Sequence, residues 1–241
     1  MCIARPAGGY PEAIDTIPES RGSRGSSRAA RWRGGRLLHP RGLSFTGQAE
    51  VWGPLAGPLA GGAGRYTGTV RLSRGIPTPE GWPDVLGFAL RLHGADGPVD
   101  LLLSSTGRLP VLRHLPLPRC DFAGPYGSLL AYRFGGRRVY LLARAGRPLG
   151  CSLDGVAELA ARHEARIDLL AAGAGGPWRP FGRITFGSRL PAEVDAALAF
   201  DPNGRGGFDL RPRGLLQRLR TVGYPWSQRG RGAAEDQTRL P

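Results

Sequence analysis

The chain has 241 residues, 41% of them hydrophobic, which is enough to bury a real core and too apolar for a disordered polymer. Its formal net charge of +14 would point to a polyanion partner, yet every one of its 33 basic residues is arginine, Asn203 is its only asparagine and Met1 its only methionine. GC-rich coding produces that bias, and the arginines are scattered rather than gathered in one stripe, so nucleic-acid binding is disfavoured.

Residues 1–32 mix Pro, Gly, Ser and Arg around "ESRGSRGSSRAAR" with no apolar period, and are expected to be a mobile tail. They also lack the continuous apolar core of a secretory signal. Strand-like runs follow. "LSFTGQAEVW" alternates Leu43 and Phe45 against Ser44 and Thr46, and "RYTGTVRLS" sets Val70 and Leu72 against Arg71 and Ser73. The preceding "GGAGRYTG" is glycine-rich but has no strand-then-helix context, so it reads as a turn. "VLGFALRLHG" alternates Phe88, Leu90 and Leu92 against Ala89 and Arg91, whereas "VDLLLSS" is continuously apolar and is expected to be buried on both faces. "SLLAYRFGGRRVYLLARAG" predicts a hairpin about Gly135 and Gly136.

The spacing of Val156, Leu159, Ala160 and His163 predicts a helix capped by Ser152 or Asp154, and "ARIDLLAAG" predicts another strand. Near the end, Leu215, Leu216 and Leu219 predict a helix that stops at Pro225, with Arg220 and Tyr224 on one face. Residues 232–241 are expected to be a second loose tail. About six strands separated by turn signals, with few helices, imply an α+β domain over residues 33–231 built on a closed or strongly bent antiparallel sheet.

No run approaches the roughly 20 apolar residues of a membrane-spanning helix. Cys2, Cys120 and Cys151 share no C-x-x-C spacing, which argues against a disulfide framework or a zinc site and for a reducing cytoplasm. None of His39, His93, His114 and His163 pairs at metal-ligand spacing, and no H-E-x-x-H, G-x-S-x-G or G-x-x-x-x-G-K is present. What remains is a set of single residues in order: Arg36 with His39, Arg71 with Ser73, and Arg220 with Tyr224.

In that order they resemble the catalase family. "RLLHPRG" (36–42) is similar to the family's R-x-x-H-x-[KR]-G, "VRLS" (70–73) to V-R-F-S, and "DVLGFALRL" (84–92) to D-x-x-G-[FM]-A-[VLI]-[KR]-[FL]. "DLLLSST" from Asp100 resembles the apolar D-[IL]-[VL] strand, "ITFGSRLPAEVDAALAFDP" the linker before the last helix, and "RTVGYPWSQRGR" (220–231) the R-L-F-x-Y-x-D-[ST]-x-R-x-R segment. The resemblance spans about residues 34–231. It implies a catalase-like antiparallel β-barrel with a few flanking helices and a haem b cofactor. Tyr224 would be the axial iron ligand, its anion supported by Arg220 one turn away. Arg36, Arg71 and Arg231 would pair with the propionates. His39 would shuttle a proton on peroxide, and Ser73 would hold the ring by a hydrogen bond.

Ser104 stands where the family carries an asparagine that orients peroxide, and no aromatic lies between Phe88 and Phe122. The function implied is therefore peroxidase-type, on peroxide or a small organic substrate, with weak or no true catalase activity. Self-association is left open. The alternative is a haem-less scaffold of the same fold that binds a hydrophobic small molecule or a protein partner.

Overall fold

The computed structural model describes residues 39 to 200 apart from 40, 77, 95, 96 and 135. Both expected tails, and the helix expected around Leu215 to Tyr224, lie outside the described residues.

Period-two alternation builds the wall. In β1 (Arg41–Val51), Phe45, Gly47, Ala49 and Val51 are buried while Thr46, Gln48 and Glu50 are exposed. β2 (Gly64–Arg74), β3 (Leu86–Gly94) and β4 (Gly97–Ser105) continue as an antiparallel meander. One inward row runs Phe45, Val70, Leu90, Leu101 in direct register across these four strands, and all four are 0% exposed.

The second half consists of β5 (Tyr126–Gly127), β6 (Tyr132–Phe134), β7 (Arg137–Arg144), β8 (Arg166–Ala172) and β9 (Arg179–Arg189). β5 pairs with both β4 and β7, and β9 pairs with β1, so eight strands close into an antiparallel barrel with β6 attached outside the ring as the hairpin partner of β7. Closure leaves the ring with no unpaired edge, although β5 contributes only two residues. Inside, Phe45 packs on Phe186 with ring centroids 5.4 Å apart, and Phe88 on Tyr126 at 5.7 Å. The Tyr126 hydroxyl donates to the Phe122 carbonyl at 2.8 Å, and burial holds its pKa well above the ordinary phenol value.

Three helices flank the described barrel. α1 (Ala56–Ala60) links β1 to β2, α2 (Leu153–Ala161) links β7 to β8, and α3 (Ala192–Ala197) follows β9. Ser152 caps α2 by accepting the Gly155 N–H at 3.0 Å. No helix among the described residues is long and apolar enough to cross a membrane.

Three local expectations are corrected. α2 ends at Ala161, and His163 lies beyond it at φ 55°, outside helical geometry. The strand expected to be buried on both faces is not: Leu102 points outward and is 39% exposed, because β4 obeys the same alternation as its neighbours. In "GGAGRYTG" only the first residues turn, since β2 begins at Gly64.

Truncating Leu90 to Ala should cost about 2–5 kcal/mol, because it opens a cavity in the closed interior. Leu102→Ala should stay within about 0.5 kcal/mol. Urea denaturation of both variants measures the difference, and equal losses would contradict this assignment of inside and outside.

Candidate functional site

On the outer face of β1–β4, opposite the core, a second set of rows forms. Gly42, Ser73, Gly87 and Ser104 are in direct register, and all four side chains are absent or small. His39 precedes β1 with φ 61°, in the left-handed region that histidine tolerates better than most side chains. Its ring lies over this row. A Cβ built on Gly87 would stand 2.6 Å from Ser73 Oγ, 2.9 Å from His39 Nδ1 and 3.0 Å from His39 Cε1. The glycine of "DVLGFALRL" is therefore there because the imidazole occupies the space a side chain would need.

The neighbouring outward row is Ser44, Arg71 and Ala89, with Leu102 beyond. Arg71 is 4% exposed, and its guanidinium crosses Gly42: a Cβ there would lie 2.7 Å from both Cζ and Nη2. Its Nε donates to Asp195 Oδ1 on α3 at 3.1 Å, and its Nη1 donates to the His39 carbonyl at 3.2 Å. The Ser44 hydroxyl donates to the same Asp195 oxygen. One cation thus ties the turn carrying His39, the β2 strand and α3 together.

Asp84, 2% exposed, fastens the other side. Both its carboxylate oxygens accept from the Ile76 N–H at 3.1 Å, and Arg74 Nε approaches to 3.6 Å. This fixes the turn at Gly75, where a Cβ would come within 3.4 Å of His39 Cε1 and 3.5 Å of Asp84 Oδ1. Ser104 is half-buried on the outer row, whereas Ser105 is turned away: its Oγ accepts from the Leu86 N–H at 2.9 Å and donates to the Leu117 carbonyl at 2.6 Å.

Burial lowers the pKa of His39 from its ordinary 6.5, and the nearby Arg71 charge lowers it further, with Asp84 opposing. The imidazole is consequently neutral at neutral pH. Its Nδ1 is buried with no hydrogen-bond partner among the described residues. The hydrogen bond expected from Ser73 is not made; Ser73 Oγ donates instead to the Gly87 carbonyl at 3.5 Å.

The structure thus brings His39, Ser73, Arg71 and Ser104 onto one wall. Arg36, Arg220, Tyr224 and Arg231 lie outside the described residues. Among the described residues no three His, Cys, Asp or Glu side chains converge as a metal site. Asp195 escaped sequence reasoning, although a buried outward arginine demands an anion and "LPAEVDAALAFDP" offered one. A cleft of about 320 Å³ is lined by Pro83, Pro118, Arg119, Cys120, Asp121 and Gly124, and none of the wall residues borders it.

No family model matches the sequence, and no curated protein matches it by sequence. Its fold does match solved structures. A fungal catalase superposes with a TM-score of 0.59 at 15% identity, over 92% of this chain and 66% of that one. A bacterial catalase gives 0.53 at 16% identity (90% and 63%), and catalase A from Saccharomyces cerevisiae gives 0.53 at 13% (91% and 68%). The fold is catalase-like, and the chain spans about two thirds of the length of those catalases.

Gly87→Ala should displace the imidazole and cost roughly 1–3 kcal/mol by overpacking. The His39 ring-proton titration followed by NMR should then move back toward 6.5, and an unmoved titration would refute the contact. Because the folded pKa of His39 lies below 6.5, the unfolded chain binds more protons in the window between the two values. Stability should therefore fall as pH drops from 6.5 through the folded value, and His39→Asn should remove that component. Urea midpoints against pH check this: wild-type and variant curves running parallel would contradict a neutral buried histidine.

Proposed function

We propose that the chain is a haem-binding, catalase-like protein that reacts with peroxides in peroxidase fashion, with weak or no true catalase activity. The observation that carries this reading is a neutral, largely buried imidazole laid over a flat row of glycine and serine on the outer face of a catalase-like barrel. The donor set suits haem as far as it is described: a flat, small-residue surface and a histidine whose Nδ1 is already buried, leaving Nε2 for chemistry. Haem, when bound, supplies the iron at which the peroxide O–O bond is cleaved and which an organic donor then returns to its resting state.

Each residue has a role in this reading. His39 Nε2 would take a proton from one peroxide oxygen and return it to the other as it departs, which a neutral base can do and an imidazolium cannot. Arg71, which the resemblance gave to a propionate, donates to Asp195 and to the His39 carbonyl, so in this reading it positions the histidine and adds to burial in lowering its pKa. Tyr224 would hold the iron, with Arg220 favouring its anion, and Arg36 and Arg231 would pair with the propionates. Ser104 offers a single short donor where an amide would offer two, so peroxide is oriented weakly and disproportionation is slow.

A second reading is a haem-less barrel that binds a hydrophobic small molecule or a protein partner. One observation favours it: Leu109, Val111 and Leu115 in the β4–β5 connection are 64%, 76% and 50% exposed.

Hemin titration followed by absorption separates the two. The expected result is a one-to-one Soret band that Tyr224→Phe abolishes or shifts, and that His39→Asn retains while the peroxide reaction slows on the order of 10²-fold. No band in the wild-type protein would overturn the haem reading in favour of the second. A band with an unchanged peroxide rate in His39→Asn would remove the histidine from the chemistry.

A further inference from the structure

Outside the His39 wall, two cysteines from distant parts of the chain come together. Cys120 lies in the β4–β5 connection and Cys151 just before α2. The Phe122 N–H donates to the Gly150 carbonyl at 2.9 Å, and the Leu149 N–H donates to Asp121 Oδ1 at 3.1 Å, so the two segments run side by side. Those two bonds bring Cys120 and Cys151 to one junction, close enough for Cys120 to raise the pKa of the Cys151 thiol. Both residues are half-buried free cysteines, and Cys120 lines the cleft of about 320 Å³ together with Pro118, Arg119 and Asp121. A peroxide-sized molecule therefore has a path to sulfur, and a second sulfur stands beside the first.

We propose that Cys120 and Cys151 form a dithiol site that hydrogen peroxide closes into an intramolecular disulfide. In the first step the Cys120 thiolate attacks one peroxide oxygen: an S–O bond forms, the O–O bond breaks, and hydroxide leaves and is protonated to water. In the second the Cys151 thiolate attacks that sulfur: the S–S bond forms, the S–O bond breaks, and a second water leaves. Two thiols and one peroxide become one disulfide and two waters, with two electrons passing from sulfur to oxygen. Desolvation, then the neighbouring Cys120 and Asp121, push the Cys151 thiol above its ordinary pKa of 9.0, against Arg74, so Cys151 rests as a thiol. This chemistry needs no haem and stands or falls independently of the His39 reading.

The test uses the full chain without hemin, treated with hydrogen peroxide, alkylated and digested with trypsin, which places the two cysteines on separate peptides. The expected result is a fall in free thiols from three to one, Cys2 being the survivor, with the Cys120 and Cys151 peptides cross-linked and dithiothreitol restoring both thiols. In Cys151→Ser, Cys120 should accumulate as a sulfenic acid that dimedone traps. Three surviving thiols, over-oxidation of both cysteines without a cross-link, or a cross-link to Cys2 would each overturn the proposal.

Discussion

The wall that carries His39 depends on the ion pair between Arg71 and Asp195. Arg71 projects from the outer face of a barrel strand, where an arginine ordinarily reaches into water, yet its side chain is 5% exposed and that of Asp195 is 17% exposed. Charges so far removed from solvent persist only when paired, and removing one partner of such a pair typically costs about 3–5 kcal/mol because the other is left buried and alone. The pair is also structural in a wider sense. Through Asp195 it holds α3 and Ser44, and through the His39 carbonyl it holds a turn whose φ of 61° a free chain would rarely adopt. Burial depresses the histidine pKa and the same guanidinium lowers it further, so the side chain that places the imidazole also favours its neutral form.

Seen from that pair, the family-like motifs become packing solutions. Gly42, at the end of "RLLHPRG", is bare because the Arg71 guanidinium lies across it, and Gly87 is bare because the imidazole does. Asp84 opens "DVLGFALRL" because the turn at Gly75 needs a buried acceptor for the Ile76 N–H. Three stretches separated in sequence are thus adjacent strands whose outward residues interlock in register.

Much of this was legible from periodicity alone. Val70 and Leu72 against Arg71 and Ser73 told inside from outside correctly, and Gly135 with Gly136 marked the β6–β7 hairpin, whose strands pair Phe134 with Arg137. "VDLLLSS" misled because Leu102 is apolar on the outer side, so composition carried no information about which face it occupies. Asp195, the Ser73 bond to Gly87 and the meeting of Cys120 with Cys151 were illegible for another reason. Each depends on which strands and loops become neighbours, and local pattern does not encode that. The cysteines are the sharpest case: spacing rules look for nearby pairs, whereas here a backbone hydrogen bond from Phe122 to Gly150 brings their two loops together.

The β4–β5 connection, which contains the proline-rich "RLPVLRHLPLPRC", is firmly anchored. Arg113 is 2% exposed and clamped between two rings, 5.0 Å from the Tyr140 centroid and 4.9 Å from that of Trp178, with Nη1 donating to the Gly173 carbonyl at 3.1 Å. Thr106 Oγ1 lies 2.8 Å from the carbonyls of both Leu112 and Leu115, and Trp178 Nε1 donates to the Arg108 carbonyl at 3.0 Å. A segment pinned from both ends in this way cannot fold its leucines back onto the barrel. The exposure of Leu109, Val111 and Leu115 is therefore imposed by the anchor, and the connection presents a preformed apolar surface whose ordering cost has already been met in folding.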